Sequence, residues 1–536
     1  MTEHYNIGYK CTGWQVNEGR GNQVALRWVS QKLERQDITY RQLDSHSNRY
    51  ANTLRDWGLQ AGERVFLFLP RTPEVYSAFL GILKAGLVCG TLFSSFGPEA
   101  LLDRLSDGAA SAVVTNQKSL RKLDEVWPLL PALRVVFLVD VPEHLSERVV
   151  SLPRLLAEAG ETFEAFPARP DTPSVIHYTS GSTGKPKGVQ HVHGSLKSHL
   201  RSFREVFFPK PDDRYWCTAD HAWVTGTSYG IIAPFAFGLT QVQYAGGFDP
   251  QTWFSIIEEE KVNLLYTAPT VLRMMMQFED EIYQGFDLSE LRQIYSVGEP
   301  LNPEIYHWGR RVLKHEIHDT WFQTETGSIM IANRPGLEIR PGSMGKPLEG
   351  IQPVLLADDF SPARVGEVGK LGLKSGWPSM FRAYINLPDA YQSKFHGDIY
   401  LTGDLARQDE DGYFWFIGRD DDVINTAGHL VSPFEVESSL LELPAVADVG
   451  VIGAPDALLW EKVVAFIALT PGATWSNELA LRLRVHVSNR VSSMAAPADF
   501  RIVQKIPKNR SGKIMRRVLR AWYAGQDAGD LSTMEE

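Results

Sequence analysis

Residues 178–188, YTSGSTGKPKG, place three glycines, two lysines and four Ser/Thr hydroxyls within eleven positions. Glycines let backbone N–H groups turn toward an anion, hydroxyls donate hydrogen bonds and lysines supply charge, so this stretch has the chemistry of a phosphate-holding loop. It is not a Walker loop. That motif needs G-x4-G-K-[ST] with a helix opening at the lysine. Here Gly181 lies only three residues before Gly184, and Pro186 biases Lys185 away from the helical region. A run of small polar residues is by itself a surface loop more often than a binding site. The order T-S-G-S-T-G-x-P-K-G is far more restrictive than such a composition.

The elements around this loop must position it. SVIHY, just before it, reads as a strand. Over about residues 40–170, helical patterns alternate with short apolar runs. TYRQLDSHSNRYANTLRDWG has helical spacing and ends on Gly58, and PEVYSAFLGILKAG opens with proline and closes with glycine. RVFLFL, GLVCGTLF, SAVVTN and RVVFLVD read as core strands between them. Such alternation predicts an α/β fold with a largely parallel sheet. The rhythm returns at QVQYAG, NLLYTAP and LRQIYSVG. Beyond about residue 365, GDIYLTGDLARQDEDGYFWFIGR reads as a hairpin turned at Asp-Gly. A compact α+β unit comes next, which sets a boundary near Asp420–Asp421 and two domains, 1–420 and 421–536.

Composition narrows the classes. A chain of 536 residues, 43% hydrophobic and 22% charged, is ordinary for a globular protein of roughly three or four domain-sized units. Its net charge of −10 argues against a nucleic acid or an anionic membrane as the main partner. Cys11, Cys89 and Cys217 lie far apart without metal-ligand spacing, which suits a reducing compartment. With no apolar signal segment at the N-terminus and no apolar run approaching the roughly 20 residues that span a bilayer, the sequence predicts a cytoplasmic protein.

Further blocks extend the glycine loop into a pattern. YSVGEP, WFQTETG, LTGDLA, GRDDDVINTAGHLVSPFEVE and PKNRSGKIMRR succeed it in order. Together they resemble the adenylate-forming superfamily, which includes acyl-CoA synthetases, peptide-synthetase adenylation domains and luciferase, over nearly the whole chain. WCTADHAWVTGTSYG and GDLSTMEE are most similar to the short bacterial acetyl-CoA synthetases. The resemblance implies a large N-terminal part with mixed and parallel sheets and a small mobile C-terminal α+β domain. It implies AMP-forming ligation of a short carboxylic acid, acetate first, to CoA through an acyl adenylate. ATP, Mg2+ and CoA would be used. The alternatives within the family are that this chain is a ligase for propionate, medium-chain or aromatic acids, or an acyl-AMP ligase that loads a carrier protein. A nucleotide-binding protein that keeps the fold without turnover is the alternative from another class.

Residue roles come from the same resemblance. Thr179, Ser180, Ser182, Thr183 and Lys185 would hold the β- and γ-phosphates; Thr324 would touch the α-phosphate and Glu325 would ligand Mg2+. Gly298, Glu299 and Pro300 would line the adenine, with Asp319, Thr320, Trp321 and Gln323 completing the nucleotide site. Asp404 and Arg419 would take the ribose. Val224, Thr225, Val297 and Phe322 would form the acyl pocket, Asp421 the hinge, and Ala427 and Gly428 the segment facing CoA. Lys513 is the expected catalytic lysine and a possible target of a lysine acyltransferase or deacylase. In isolation Glu325 would be a solvated charge and Lys513 part of a basic tail.

Two positions depart from the acetate-specific pattern. Phe322 stands where those relatives carry tryptophan, leaving room for another methylene or two unless Trp321 refills the space. Leu430 stands where they carry a phosphate-contacting arginine, which leaves the direction of the reaction open.

Overall fold

The computed structural model describes residues 4–180, 186–278, 281–427, 429–456, 458–509, 512–529, 531 and 534. The first helix of the expected alternation, Tyr40–Asp56, starts at a capping box in which Thr39 and Gln42 satisfy each other's backbone donors. It stops where Gly58 adopts φ +76°, a left-handed value that tolerates no Cβ cheaply. It packs on the helix Pro73–Lys84, whose first residue is the predicted proline.

Strands Arg64–Phe68, Val88–Thr91, Ala112–Thr115 and Val135–Leu138 pair in parallel, and the residues Val65–Phe68 are fully buried. Continuous apolar runs of this kind belong to a sheet covered on both faces. They form part of an eight-stranded sheet among the described residues. Its other edge is antiparallel: Pro173–Ser180 pairs with Pro186–Val192, which pairs with Ala383–Tyr384. The segment after the glycine loop is therefore a strand and not a helix, in keeping with the exclusion of Walker chemistry.

A nine-stranded sheet holds Arg214–Cys217, Thr240–Tyr244, Leu264–Thr267, Gln293–Val297 and Ile317–Trp321 in parallel, with antiparallel edges. The sheets are thus mixed: the nine-stranded one is parallel at its centre, and the eight-stranded one is parallel from its edge at Val149–Ser151 as far as Pro173–Ser180. The predicted hairpin is Ile399–Gln408 with Phe414–Arg419, turned at Gly412, within an antiparallel sheet.

A turn at Asp420–Val423 leads from Arg419 into a separate sheet that begins at Ile424–Thr426. Trp460–Leu469 lies inside this sheet, and its alternate residues serve two cores. Val463, Ala465 and Ile467 face a cluster with Leu440, Leu483 and Val487 of the helices Pro433–Leu441 and Asn477–Arg490. Val464 and Phe466 face Ile506 and, on the last helix, Arg516–Ala524, Leu519. That period of two is why a single strand can carry helices on both sides. Among the described residues no helix is long and apolar enough to cross a membrane.

Candidate active site

A cleft of about 1510 Å3 opens where the ends of the parallel strands meet the C-terminal unit. Gln293–Val297 delivers Gly298, Glu299 and Pro300 to it, and Ile317–Trp321 delivers Asp319 through Glu325. Strand ends are where open α/β sheets expose the backbone and side chains that grip ligands.

The carboxylate of Asp404 is 5% exposed and held from three sides. Oδ2 accepts from Trp321 Nε1 at 3.1 Å and Gln323 Nε2 at 2.9 Å, and Oδ1 accepts from Arg419 at 3.1 Å. Asp404 and Arg419 sit directly opposite each other in the hairpin, so strand register sets this pair. A carboxylate has about four acceptor sites, which leaves one for a ligand hydroxyl without dismantling the network.

Trp321 is committed to Asp404 and does not fill the space beside Phe322. The strand ends at Trp321, and the two rings pack on different apolar clusters, Trp321 on the one that holds Tyr400 and Phe322 on the one that holds Tyr229 and Tyr266. Phe322 packs edge-on against Tyr229, centroids 5.5 Å apart. The Tyr229 hydroxyl bonds Ser202 and accepts from the Ile329 amide, both at 2.7 Å. Val224, Thr225 and Val297 complete this apolar end of the cleft. Trp223, set against Phe93 with centroids 5.0 Å apart, lines it as well.

Glu325 Oε1 accepts from the Tyr384 hydroxyl at 2.7 Å. Lys394 and Lys187 also line this region, and burial, with Arg419 and Lys187 adding to it, pulls the Lys394 pKa below that of an ordinary lysine. Asp319, buried beneath the nucleotide-side wall, is pushed up to about 7 by burial, against a 2.6 Å hydrogen bond from Ser296.

The C-terminal unit closes the cleft with Lys513. Its loop turns through Asn509, whose side chain accepts from the Lys513 amide at 2.9 Å. Thr270 Oγ1 donates to the Gly512 carbonyl at 3.3 Å, and Asn302 Nδ2 donates to Ser438 Oγ at 2.6 Å. Arg273 ties both donors to Glu299, at 2.6 Å from its carboxylate, 2.7 Å from Thr270 and 3.0 Å from Asn302. The Lys513 side chain keeps solvent access within the cleft although protein surrounds it. Its pKa is lowered by that enclosure and next by Arg419, while Asp404 and Asp422 oppose the shift.

Every described candidate named from sequence lies on this cleft, apart from two. Ser180 ends the strand before the loop, where its backbone alone is described. Ala427 occupies an exposed turn of the C-terminal unit, at φ +49°, away from the cleft. Ser182, Thr183, Lys185 and Gly428 lie outside the described residues. Asp421 is at the cleft rim, 3.6 Å from Arg419. Sequence reasoning missed Arg273, Tyr384, Lys394 and Trp223. Of these, only Trp223 sat inside a recognised block, WCTADHAWVTGTSYG.

Residues 14–385 match the model of the AMP-binding enzyme family, and 435–513 match its C-terminal domain. The chain belongs to this family of adenylate-forming enzymes. It is 43% identical to acetyl-coenzyme A synthetase of Bacillus subtilis (strain 168), over 100% of this chain and 93% of that one. Against acetyl-coenzyme A synthetase of Pyrobaculum aerophilum the identity is 37%, over 99% and 85%. A crystal structure of the anthranilate CoA ligase AuaEII in complex with anthranoyl-AMP superposes with a TM-score of 0.89 at 29% identity, over 97% of this chain and 98% of that one.

Proposed function

We propose that this protein is a cytoplasmic AMP-forming acetate–CoA ligase, built as a nucleotide- and acid-binding part, 1–420, and a moving domain, 421–536. The observation that carries this reading is the arrival of Lys513, from the far end of the chain, in one cleft with Asp404, Arg419 and Glu325.

A carboxylate is a poor acyl donor. Joining it to the α-phosphate of ATP, with release of pyrophosphate, makes an anhydride whose acyl carbon a thiol can attack as AMP leaves. The first step gathers anions, so fixed cations and donors lower its barrier most. Asp404 and Arg419 hold the ribose, Gly298–Pro300 flank the base, and Thr179, with the hydroxyls and Lys185 of the loop, holds the outer phosphates. Thr324 touches the α-phosphate. The ammonium of Lys513 stabilises the charge that develops between the attacking carboxylate and the departing pyrophosphate.

Glu325 fits Mg2+ as a hard oxygen donor fixed by Tyr384. Among the described residues no group of three or more metal-ligating side chains stands ready as a cage. This suits an ion shared between one carboxylate and substrate phosphates, which would supply charge neutralisation there.

The acyl pocket supports acetate as substrate with propionate as a competitor. Trp321 is occupied at Asp404, so the wall at this position is the Phe322 ring and not an indole. For the thiol step the C-terminal unit turns about Asp421 and brings Ala427 and Gly428 to the cleft, a gating motion that also keeps water from the anhydride.

The test is Lys513→Ala. It abolishes acetate-dependent exchange of pyrophosphate into ATP and spares thioester formation from supplied acetyl adenylate. Equal loss of both half-reactions refutes the role.

A further inference from the structure

The helix Ser195–Phe207 has two unlike faces. Its inner face supports the catalytic cleft: His199 Nε2 bonds the Gly327 carbonyl at 2.9 Å, Ser198 Oγ accepts from the Ser379 amide at 3.2 Å, and Ser202 holds Tyr229. Its outer face carries Lys197, Arg201 and Arg204 at spacings of four and three, one stripe of like charge. These three line a second cavity of about 680 Å3, which shares no lining residue with the cleft.

Like charges in one stripe destabilise a helix unless something neutralises them. Among the described residues none of the three makes an ion pair with a carboxylate oxygen within 4.0 Å. Glu205 and Glu349 face the cavity. Glu205 is already engaged, by Arg334 at 3.3 Å and by the Glu349 amide at 3.1 Å. Lys10, its ammonium 3.2 Å over the Trp14 ring, and His4 border the cavity from the N-terminal segment. Arg201 Nε is buried with no hydrogen-bond partner in the protein. At the rim Phe208 is 49% exposed and takes φ +45°, a left-handed conformation unfavourable to a bulky residue. Tyr5 stands among the same lining residues.

We infer that this cavity is a second anion site, built for a ligand bearing several phosphate charges. Two guanidinium groups in one stripe present paired donors that match phosphate oxygens. The cations concentrate here although the chain as a whole carries −10. The exposed phenyl beside them offers a stacking surface for a base. A nucleoside polyphosphate and an inorganic polyphosphate share this chemistry. The site does not depend on the ligase reading of the cleft.

The test titrates full-length protein calorimetrically with inorganic tripolyphosphate and, separately, with GTP, comparing wild type with the double variant Arg201→Gln, Arg204→Gln. Removal of two charge-assisted contacts weakens one class of binding by about tenfold or more. The KM for ATP in pyrophosphate exchange stays unchanged, which separates this loss from any effect on the glycine loop. Tighter binding of GTP than of tripolyphosphate assigns a nucleotide; equal affinities assign an inorganic chain. Lys197→Gln with Arg204→Gln, both at exposed positions, repeats the comparison if the first variant is unstable, and shows the same weakening. Identical isotherms for wild type and variant overturn the inference, as does wild-type binding so weak that it marks an adventitious ion only.

Discussion

Replacing Gly512 by alanine tests the docking of the lysine loop more selectively than removing the lysine. Gly512 has φ +86°, and a Cβ there would stand 2.3 Å from Glu299 Oε1 and 2.7 Å from Thr270 Oγ1. Neither atom gives way freely: Arg273 holds Thr270 Oγ1 at 2.7 Å and the other oxygen of the Glu299 carboxylate, Oε2, at 2.6 Å, while Oε1 accepts from the Thr270 amide at 3.3 Å. The left-handed backbone costs alanine about 1–2 kcal/mol in any domain orientation that keeps the turn. The clash arises only when the loop sits against the N-terminal part. It removes the hydrogen bond from Thr270 to Gly512, worth about 1 kcal/mol, and displaces a charged pair for about 1–2 kcal/mol more. The docked state therefore loses about 2–3 kcal/mol relative to the undocked one, which slows adenylation by about 30- to 150-fold. Acetate-dependent pyrophosphate exchange reads this loss, while thioester formation from supplied acetyl adenylate stays within about threefold of wild type. A thermal unfolding midpoint close to that of wild type shows that the fold is intact. Unchanged exchange, or equal slowing of both half-reactions, refutes the docking argument.

Lys513→Arg keeps a cation at the site that does not titrate. Enclosure and Arg419 lower the Lys513 pKa, so wild-type adenylation falls on the alkaline side below the ordinary lysine range, and the arginine variant moves that limb to higher pH in a pH–rate profile. Phe322→Trp narrows a panel of acids from two to eight carbons toward acetate, each excluded methylene changing relative kcat/KM by about 10- to 200-fold; an unchanged panel removes Phe322 as the wall. Tyr384→Phe takes away the donor to Glu325, and the Mg2+ concentration for half-maximal rate rises by about 10- to 150-fold, the equivalent of about 1.5–3 kcal/mol for a hydrogen bond to a charged group. A flat Mg2+ titration argues that Glu325 is not the ligand.

Much of the framework was legible in the chain. The strand at Arg64–Phe68, the helices at Tyr40–Asp56 and Pro73–Lys84, and the hairpin ending at Arg419 stand where apolar period, caps and turn residues put them. Spacing also separated the glycine loop from Walker chemistry, since a proline after the lysine favours the strand found at Pro186–Val192.

The contacts that close the site were not legible. Arg273, Tyr384 and Lys394 lie in no motif and meet Glu299, Glu325 and the cleft through distant segments of the chain. Local sequence determines φ, ψ and the face of an element, because those depend on near neighbours. It leaves open which remote elements pack together, how the C-terminal unit is oriented, and that Ala427 points away from the cleft while Lys513 enters it. Those choices rest on burial and charge pairing summed over the folded chain, and only the tertiary structure decided them.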